Sequence, residues 1–300
     1  MTKVLIGVDG SERSEDAVAL GRGLALAAGA PVILATVQRS DALRPDAHSH
    51  EILLREDALS TLVPLAFALD DVDGVELRPL VANTSAAHAL QELAEHEDAG
   101  IIVVGSSHTG RLGRVLPGST AERLLHGAPC PVAVVPLGYR NHATSEHPVV
   151  GCAYRPTEDG EASLGAAEEL ALALSAQLRV MQVTEPLTRI YDSGEMPLNF
   201  AETNASIYAE TERALMERVE RLSSKVQHEG TLYSGRPADV LVGLSETVDV
   251  LVMGSHGYGP LKAVLLGGVS GRVIRSAACP VIVVPRGATS AVGSVFASAA

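Results

Sequence analysis

The sequence predicts an α/β protein of two tandem domains, each built on a parallel β-sheet with helices on both faces. Three observations support this class. The chain has 300 residues, which is long enough for about two domains of typical size. It contains a repeat of domain length. Within each repeat, short continuous apolar runs alternate with longer segments of helical pattern, which is typical of strands buried on both faces of a sheet.

The repeat is clearest in residues 101–136 and 250–285, which align without a gap. Landmark residues keep a constant separation between the two segments: Gly105 and Gly254, Gly118 and Gly267, Cys130 and Cys279, and Pro131 and Pro280. Upstream, VLIGVDGSERSEDAVALGRGLALAAGA at 4–30 resembles VVGCAYRPTEDGEASLGAAEELALALSA at 149–176, with Gly7 set against Gly151. Each repeat is therefore a whole domain rather than one unit of a solenoid.

Apolar runs predict five strands in each repeat. The predicted strands are 3–8, 32–38, 75–81, 101–105 and 131–136, and then 148–153, 178–184, 230–234, 249–253 and 280–285. Helices are predicted in the first repeat at 11–28, near 51–70, at 84–97 and at 119–126, with Pro64 kinking or breaking the second. We expect domains at 1–141 and 148–287, a linker within 137–148, and a mobile, small-residue tail at 288–300.

Composition and charge exclude several functional classes. The net charge of -13, from 23 basic and 36 acidic residues, gives no basic footprint for nucleic acid. No apolar run reaches about 18 residues, and the start MTKVLIGVDG lacks the pattern of a signal peptide. The three cysteines, without a C-x-x-C pair, argue against a disulfide framework and are interpreted as inert core thiols. We expect a soluble, cytoplasmic protein, and the Ala- and Arg-rich composition suggests a bacterial source.

A glycine-rich loop provides the candidate binding site. The segment from Gly105 to Ser119 leaves a buried strand and enters a helix, so backbone N–H groups and the positive helix end suit a phosphate. Glycine permits positive φ and close approach of a ligand. Asp9 ends the first strand, where its carboxylate can accept hydrogen bonds from ribose or adenine. Asp9 and Gly105 converge only if the first and fourth strands are neighbours.

The loop matches neither a Walker A motif nor the G-x-G-x-x-G dinucleotide motif. A lone glycine loop is as often structural as functional, but two loops of equal spacing, each followed by a helix and C-P-V, are more specific. Arg111, Arg114 and Lys262 lie where they could reach phosphates, although a solvated role is the more common one. The H-x-H-E cluster at 48–51 is interpreted as a polar loop, so no metal site is predicted.

With these motifs the sequence resembles the universal stress protein family in its tandem form, over nearly all of residues 1–287. The resemblance rests on VLIGVDGS, IIVVGSSHTG, GSTAERLLHGAPCPVAVV and VLVMGSHGYGPLKAVLLGGVS, together with CPVIVV near the end. It implies Rossmann-like (adenine nucleotide alpha hydrolase-like) domains with five parallel strands in the order 3-2-1-4-5. In many members it also implies an ATP site marked by G-x2-G-x9-G-[ST].

Only some of the family's motif residues are present in this chain. In the first half the middle glycine of the motif is His108; in the second, Gly268 replaces the hydroxyl residue and Ala153 replaces the aspartate. We therefore rank the first site above the second. The candidate binding residues are Gly7, Val8, Asp9, Val37, Val104, Gly105, His108, Gly118, Ser119, Thr120, Val183, Met253, Gly254, Gly257, Gly267, Gly268, Val269 and Ser270.

The resemblance implies a protein that binds ATP, with or without Mg²⁺, or a related adenine nucleotide in at least one domain. Its role would be sensing or signalling under stress. No nucleophile and base pair is evident, so we expect no enzyme, with at most slow ATP hydrolysis. The alternative is a scaffold that binds protein partners and no nucleotide. The apolar last strands of the two halves, VAVVP at 132–136 and VIVVP at 281–285, are predicted to pair antiparallel as an intrachain pseudo-dimer, and a homodimer is possible.

Overall fold

A computed structural model describes residues 2–40, 47–107, 113–115, 117–142, 145–186, 200–255 and 268–285. The first half contains strands β1 (Lys3–Val8), β2 (Val32–Arg39), β3 (Val75–Ala82), β4 (Ala99–Gly105) and β5 (Val132–Val135). Its helices are α1 (Glu12–Ala28), α2 (Ala47–Ala66), α3 (Ala86–His96) and α4 (Ser119–Gly127), with 3-10 turns at Phe67–Leu69 and Tyr139–Asn141.

The second half repeats this alternation. Its strands are β6 (Val149–Tyr154), β7 (Gln177–Thr184), β8 (His228–Ser234), β9 (Val250–Gly254) and β10 (Val281–Val284). Its helices are α5 (Glu158–Ala173), α6 (Phe200–Val219), α7 (Pro237–Leu244) and α8 (Gly268–Ile274). The predicted α/β class with tandem Rossmann-like domains is confirmed, and each predicted strand overlaps an observed one. The expected tail at 288–300 lies outside the described residues.

All ten strands form one sheet, in the order β3-β2-β1-β4-β5-β10-β9-β6-β7-β8. The pairing within each half is parallel. The two halves meet where β10 pairs antiparallel with β5, with Val281 opposite Val134 and Val283 opposite Val132. The chain order reverses at β1 and β4, and again at β6 and β9. These are the positions where open α/β sheets bind ligands, beyond the carboxyl ends of the strands.

The core lies in two layers, one on each face of the sheet, because neighbouring residues of a strand point to opposite faces. One layer contains Ile6 of β1 together with Leu164 of α5 and Leu215 of α6. The other contains Leu5 of β1 and Leu241 of α7. Each layer continues across both halves; in the second half α5 and α6 pack on one face of the sheet, and α7 and α8 pack on the other.

One local expectation for the α2 region differs from the structure. The helix begins at Ala47, so His50 lies in the helix and not in a loop. Pro64 lies inside the helix, which ends two residues later and continues as the 3-10 turn. Among the described residues, no helix is both long enough and apolar enough to cross a membrane.

The structure corrects the alignment of β6 with β1. Gly7 pairs with Val104 of β4, and the residue of β6 in the matching position is Ala153, which pairs with Met253 of β9. The prediction that Ala153 replaces the aspartate is therefore wrong; two residues further on, Arg155 takes the place of Asp9. Residues two apart share one face of a strand, so a glycine match alone could not distinguish the two registers.

Candidate functional site

A cleft of about 770 Å³ lies at the carboxyl edge of the sheet in the second half. It opens between the first turn of α5 on one side and the first turns of α7 and α8 on the other. Its lining residues include Ala153, Tyr154, Arg155, Thr157, Asp159, Gly160, Met181, Val183, Thr184, Glu185, Arg236, Pro237, Ala238, Leu241, Met253, Gly254, Gly268, Val269, Ser270 and Arg272. Six predicted site residues are among them: Val183, Met253, Gly254, Gly268, Val269 and Ser270.

The floor of the cleft is apolar. Met181 of β7 and Met253 of β9 are buried, and Leu241 of α7 closes one side. In the first half, the residue that matches Leu241 is Leu90 of α3. Its Cδ1 lies only 2.9 Å from where a Cβ on Gly7 would stand, so the leucine packs directly on the end of β1.

The rim of the cleft is charged and has arginines on both sides. On the α7 and α8 side, Arg272 Nη2 donates to Asp239 Oδ1 at 2.6 Å, and Arg236 Nη1 lies 3.9 Å from the other oxygen of Asp239. On the α5 side, Arg155 is exposed and lines the cleft. Asp159, one turn into α5, is buried and also lines it.

The first turn of α5 fixes the backbone at Arg155. Thr157 caps the helix, because its Oγ1 accepts from the Gly160 N–H at 3.3 Å, and its own N–H donates to the Arg155 carbonyl at 2.8 Å. A Cβ on Gly160 would lie 1.8 Å from that carbonyl oxygen, so the tight approach requires glycine. Arg155 is therefore presented to the cleft from a constrained loop.

In the first half, Asp9 lies at the end of β1 as predicted, but its carboxylate binds the start of α1. Oδ1 accepts from the Ser11 N–H at 3.0 Å, from Ser11 Oγ at 2.6 Å and from Ser14 Oγ at 3.0 Å. Ser14 is itself buried. This network engages the oxygen that was predicted to receive a ribose or base.

The first glycine of each loop packs against a helix. A Cβ on Gly105 would lie 2.6 Å from the Arg13 carbonyl oxygen of α1, and one on Gly254 would lie 2.9 Å from the Asp159 carbonyl oxygen of α5. Within the described residues, positive φ is found at other glycines, among them Gly113, and not at either of these two. Glycine is needed at these two positions because strand and helix approach closely.

The two ends of the first glycine loop lie close together. Arg13 Nε donates to the Ser107 carbonyl at 2.9 Å, and a Cβ on Gly118 would lie 3.6 Å from Ser107 Cα. Ser119 begins α4 and is exposed, and Thr120 follows it. Val8 and Val104 are buried at their strand ends, whereas Val37 is partly buried. The predicted site residues of this half that are described thus gather at one edge of the sheet.

Ser270 has a different contact from the phosphate contact expected of this segment. Its Oγ donates to the Gly254 carbonyl at 3.2 Å and ties α8 to the end of β9. His108, Gly257 and Gly267 lie outside the described residues, as do Arg111 and Lys262.

Arg114 of the first loop contacts the second half. Its Nη1 donates to the Ser276 carbonyl at 3.0 Å, and its Nη2 pairs with Glu246. The N–H of the next residue, Val115, donates to the Ala277 carbonyl at 2.8 Å, and its side chain is buried. This part of the loop therefore joins the halves, and Arg114 is engaged there.

The cysteines are core residues, as predicted. Cys130, Cys152 and Cys279 are buried, and burial raises the pKa of each thiol to about 12. They are therefore neutral thiols at physiological pH. Over the described part of the chain, no cluster of three or more His, Cys, Asp or Glu residues is placed to bind a metal ion.

Sequence reasoning missed the charged residues of the cleft. Arg155 was hidden by the register error, although aligning the two helix starts, Glu12 and Glu158, would have revealed it. Arg236 and Arg272 carried no signal, because only the packing of α7 beside α8 brings them to one rim.

A doubled α/β sheet with a cleft at its chain-reversal point defines a tandem Rossmann-like protein. The profile of the universal stress protein family matches residues 1–136 and 149–285, so the chain belongs to that family. A universal stress protein of Mycobacterium tuberculosis is 30% identical over 208 residues, covering 68% of this chain and 70% of that protein. One from Mycolicibacterium smegmatis is 29% identical over 290 residues, covering 94% and 96% respectively.

Solved structures show the same architecture over nearly the whole chain. The crystal structure of a universal stress protein from Archaeoglobus fulgidus matches 95% of this chain and 96% of that chain, with a TM-score of 0.65 at 21% identity. This likeness concerns the fold.

Proposed function

We propose that this universal stress protein binds an adenine nucleotide, ATP or a close relative, in the cleft of its second half and acts in stress sensing or signalling. The cleft itself is the observation that carries the proposal. Its volume of about 770 Å³ falls in the range of roughly 300–1,000 Å³ that is usual for small-molecule sites. It lies beyond the carboxyl ends of β6 and β9, where the chain order reverses.

The lining suits the parts of a nucleotide. Val183, Met181 and Leu241 offer an apolar surface to a flat base. Arg236 and Arg272 offer donors to phosphate oxygens, for which the planar guanidinium is well shaped. Mg²⁺, when present, would enter with the phosphates and supply charge neutralisation there.

These features favour the second half over the first, in contrast to the ranking that the sequence alone gave. In the first half Asp9 is engaged at the start of α1. The second half matches fewer residues of the family's binding motif than the first half, but it contains the cleft. A nucleotide in the first half would have to compete with the hydrogen bonds of Asp9.

The second candidate function is a scaffold that binds protein partners and no nucleotide. The internal contact of Ser270 with Gly254 favours it, because that hydroxyl donates to the protein's own backbone. Under either function we propose a binding protein rather than an enzyme, with any ATP hydrolysis slow. We also propose a cytoplasmic location.

We propose that residues 1–141 and 148–287 are the two domains and that they form an intrachain pseudo-dimer. The antiparallel register of β5 with β10 supports this pairing. The 3-10 turn at Tyr139–Asn141 supports the first boundary, because the Gly138 N–H and the Arg140 N–H both donate to Asp16 of α1. The stretch up to Asn141 therefore belongs with the first half.

The experiment combines acid extraction of the purified protein with calorimetric titration of Mg-ATP. Val183 and Val37 occupy matching positions on β7 and β2, which gives a matched pair of variants. Val183→Trp should fill the cleft and weaken binding at least about tenfold, equivalent to about 1.4 kcal/mol. Val37→Trp should leave binding unchanged. If Val37→Trp weakens binding and Val183→Trp does not, the site lies in the first half. If the extract contains no adenine compound and the titration shows no binding, the scaffold function is favoured.

A further inference from the structure

The two halves differ in charge at two matching positions beside the chain-reversal point. The first half has Asp9 after β1 and Arg13 in α1, whereas the second has Arg155 after β6 and Asp159 in α5. The matching follows from the strand registers and the helix starts. At both positions the charge in the second half, at the edge of the cleft, is therefore opposite in sign to the charge in the first half.

Arg155 is available to a ligand. Its side chain is exposed and lines the cleft, while its backbone is fixed by Thr157 and Gly160. Within the part of the chain that the structure describes, no carboxylate forms an ion pair with its guanidinium. Asp159, by contrast, has an interaction partner of its own and is not an uncompensated charge.

The exchange of charge changes what the edge can recognise. A carboxylate accepts hydrogen bonds and so suits the free hydroxyls of a ribose. A guanidinium only donates, and it binds phosphate in a bidentate manner. Where a dinucleotide fold has arginine near the ribose, the arginine accommodates a ribose phosphate in place of a hydroxyl.

The cleft also has cationic groups on two opposite walls. Arg155 stands on the α5 side, while Arg236 and Arg272 stand on the α7 and α8 side, where Asp239 links them. The helices of these walls belong to different core layers, so the sheet edge separates the two cationic groups. A ligand with two separate anionic groups matches this arrangement better than one with a single phosphate chain.

We propose that the cleft selects an adenine ribonucleotide that carries a phosphate on the 2′ or 3′ oxygen of its ribose in addition to its 5′-phosphate. Arg155 binds the ribose phosphate, and Arg236 with Arg272 binds the 5′-phosphate. This inference rests on the proposed function, because it takes the nucleotide to lie in the same cleft.

The test compares three probes by calorimetry with the full chain: adenosine 5′-monophosphate, adenosine 2′,5′-bisphosphate and adenosine 3′,5′-bisphosphate. One bisphosphate should bind at least about tenfold more tightly than the monophosphate, as expected for a charge-assisted bidentate contact. The two bisphosphates together identify which ribose oxygen carries the recognised group. Equal affinities for all three, or a preference for the monophosphate, would overturn the inference.

Variants at Arg155 assign the preference to that residue. Arg155→Asp restores the charge found in the first half and should remove or reverse the bisphosphate preference, whereas Arg155→Lys should retain part of it. Arg213→Asp, an equal change of charge on exposed α6, should leave the preference intact. Circular dichroism verifies that the variants are folded.

The outcomes separate the two proposals. If no adenine compound binds the wild-type chain, the proposed function fails. If the monophosphate binds but ribose phosphorylation adds nothing, or if Arg155→Asp retains the preference, only the present inference fails.

Discussion

Asp16 is the most buried charged residue of the described chain, with no exposed surface. It lies on α1, and its oxygens accept from the Gly138 N–H at 2.8 Å and from the Arg140 N–H at 2.9 Å. Arg140 Nη1 adds a charged contact at 3.3 Å. A buried carboxylate is tolerated because these donors replace the water that it loses. One side chain therefore anchors the segment after β5 to the first half.

We predict that Asp16→Ala lowers the free energy of unfolding by about 3 kcal/mol, because it leaves the buried Gly138 N–H, the part-buried Arg140 N–H and the Arg140 guanidinium without their acceptor. Urea unfolding followed by circular dichroism measures the loss. Glu15→Ala is the control: Glu15 contacts the same arginine at 3.0 Å but is 53% exposed, so it should cost less than about 1 kcal/mol. Equal losses for the two variants would contradict the anchoring role.

At the scale of elements, the close approach of α1 to the end of β4 sets the geometry of the first loop. Gly105 permits this approach, since any Cβ would meet the Arg13 carbonyl oxygen at 2.6 Å. Arg13 then reaches Ser107 with its guanidinium. The second half has the same arrangement between α5 and Gly254. The main role of the first glycine of each loop is therefore to allow close packing of a helix on the end of the strand.

We expect Gly105→Ala to destabilise the protein by about 2 kcal/mol, because a methyl group must displace helix backbone in a closely packed site. Gly165→Ala, within α5, serves as the matched substitution, because nothing lies within 4 Å of its Cβ position. That change should instead stabilise the protein by about 0.5–1 kcal/mol. Thermal and urea unfolding report both. A neutral Gly105→Ala would mean that the contact with Arg13 relaxes freely.

At the scale of the whole molecule, β5 and β10 convert two five-stranded sheets into one of ten strands. The pairing covers two apolar edge strands that would otherwise expose unpaired N–H and C=O groups. Val115 and Arg114 add contacts from the first loop to the second half. Together these contacts favour a single unit over two independent domains.

We predict that cutting the chain between His142 and Ser145, at an introduced protease site, leaves the halves associated in gel filtration and light scattering. Val283→Lys, opposite Val132 in the register, should make the cut halves separate or aggregate, because a buried lysine without a partner is unfavourable at the pairing. The uncut Val283→Lys chain controls for folding. Separate halves after cleavage of the unsubstituted chain would contradict the pseudo-dimer.

Much of the fold could be predicted because its signals are local. Runs such as IIVVG and VIVV identify buried strands without reference to any other part of the chain, and the repeat then doubles the evidence. The candidate site was less predictable. Asp9, Gly105 and Ser119 were placed at the correct edge, but the hydrogen bonds that engage Asp9 come from side chains whose rotamers depend on packing.

The sequence by itself determined the tandem α/β architecture, the strand positions and the edge of the sheet at which the candidate residues lie. Only the tertiary structure decided that Arg155 stands where the first half has Asp9, and that Arg155, Arg236 and Arg272 line one cleft. The physical reason is that strand register and helix packing are set by contacts between segments far apart in the chain. A local sequence pattern does not specify these long-range contacts.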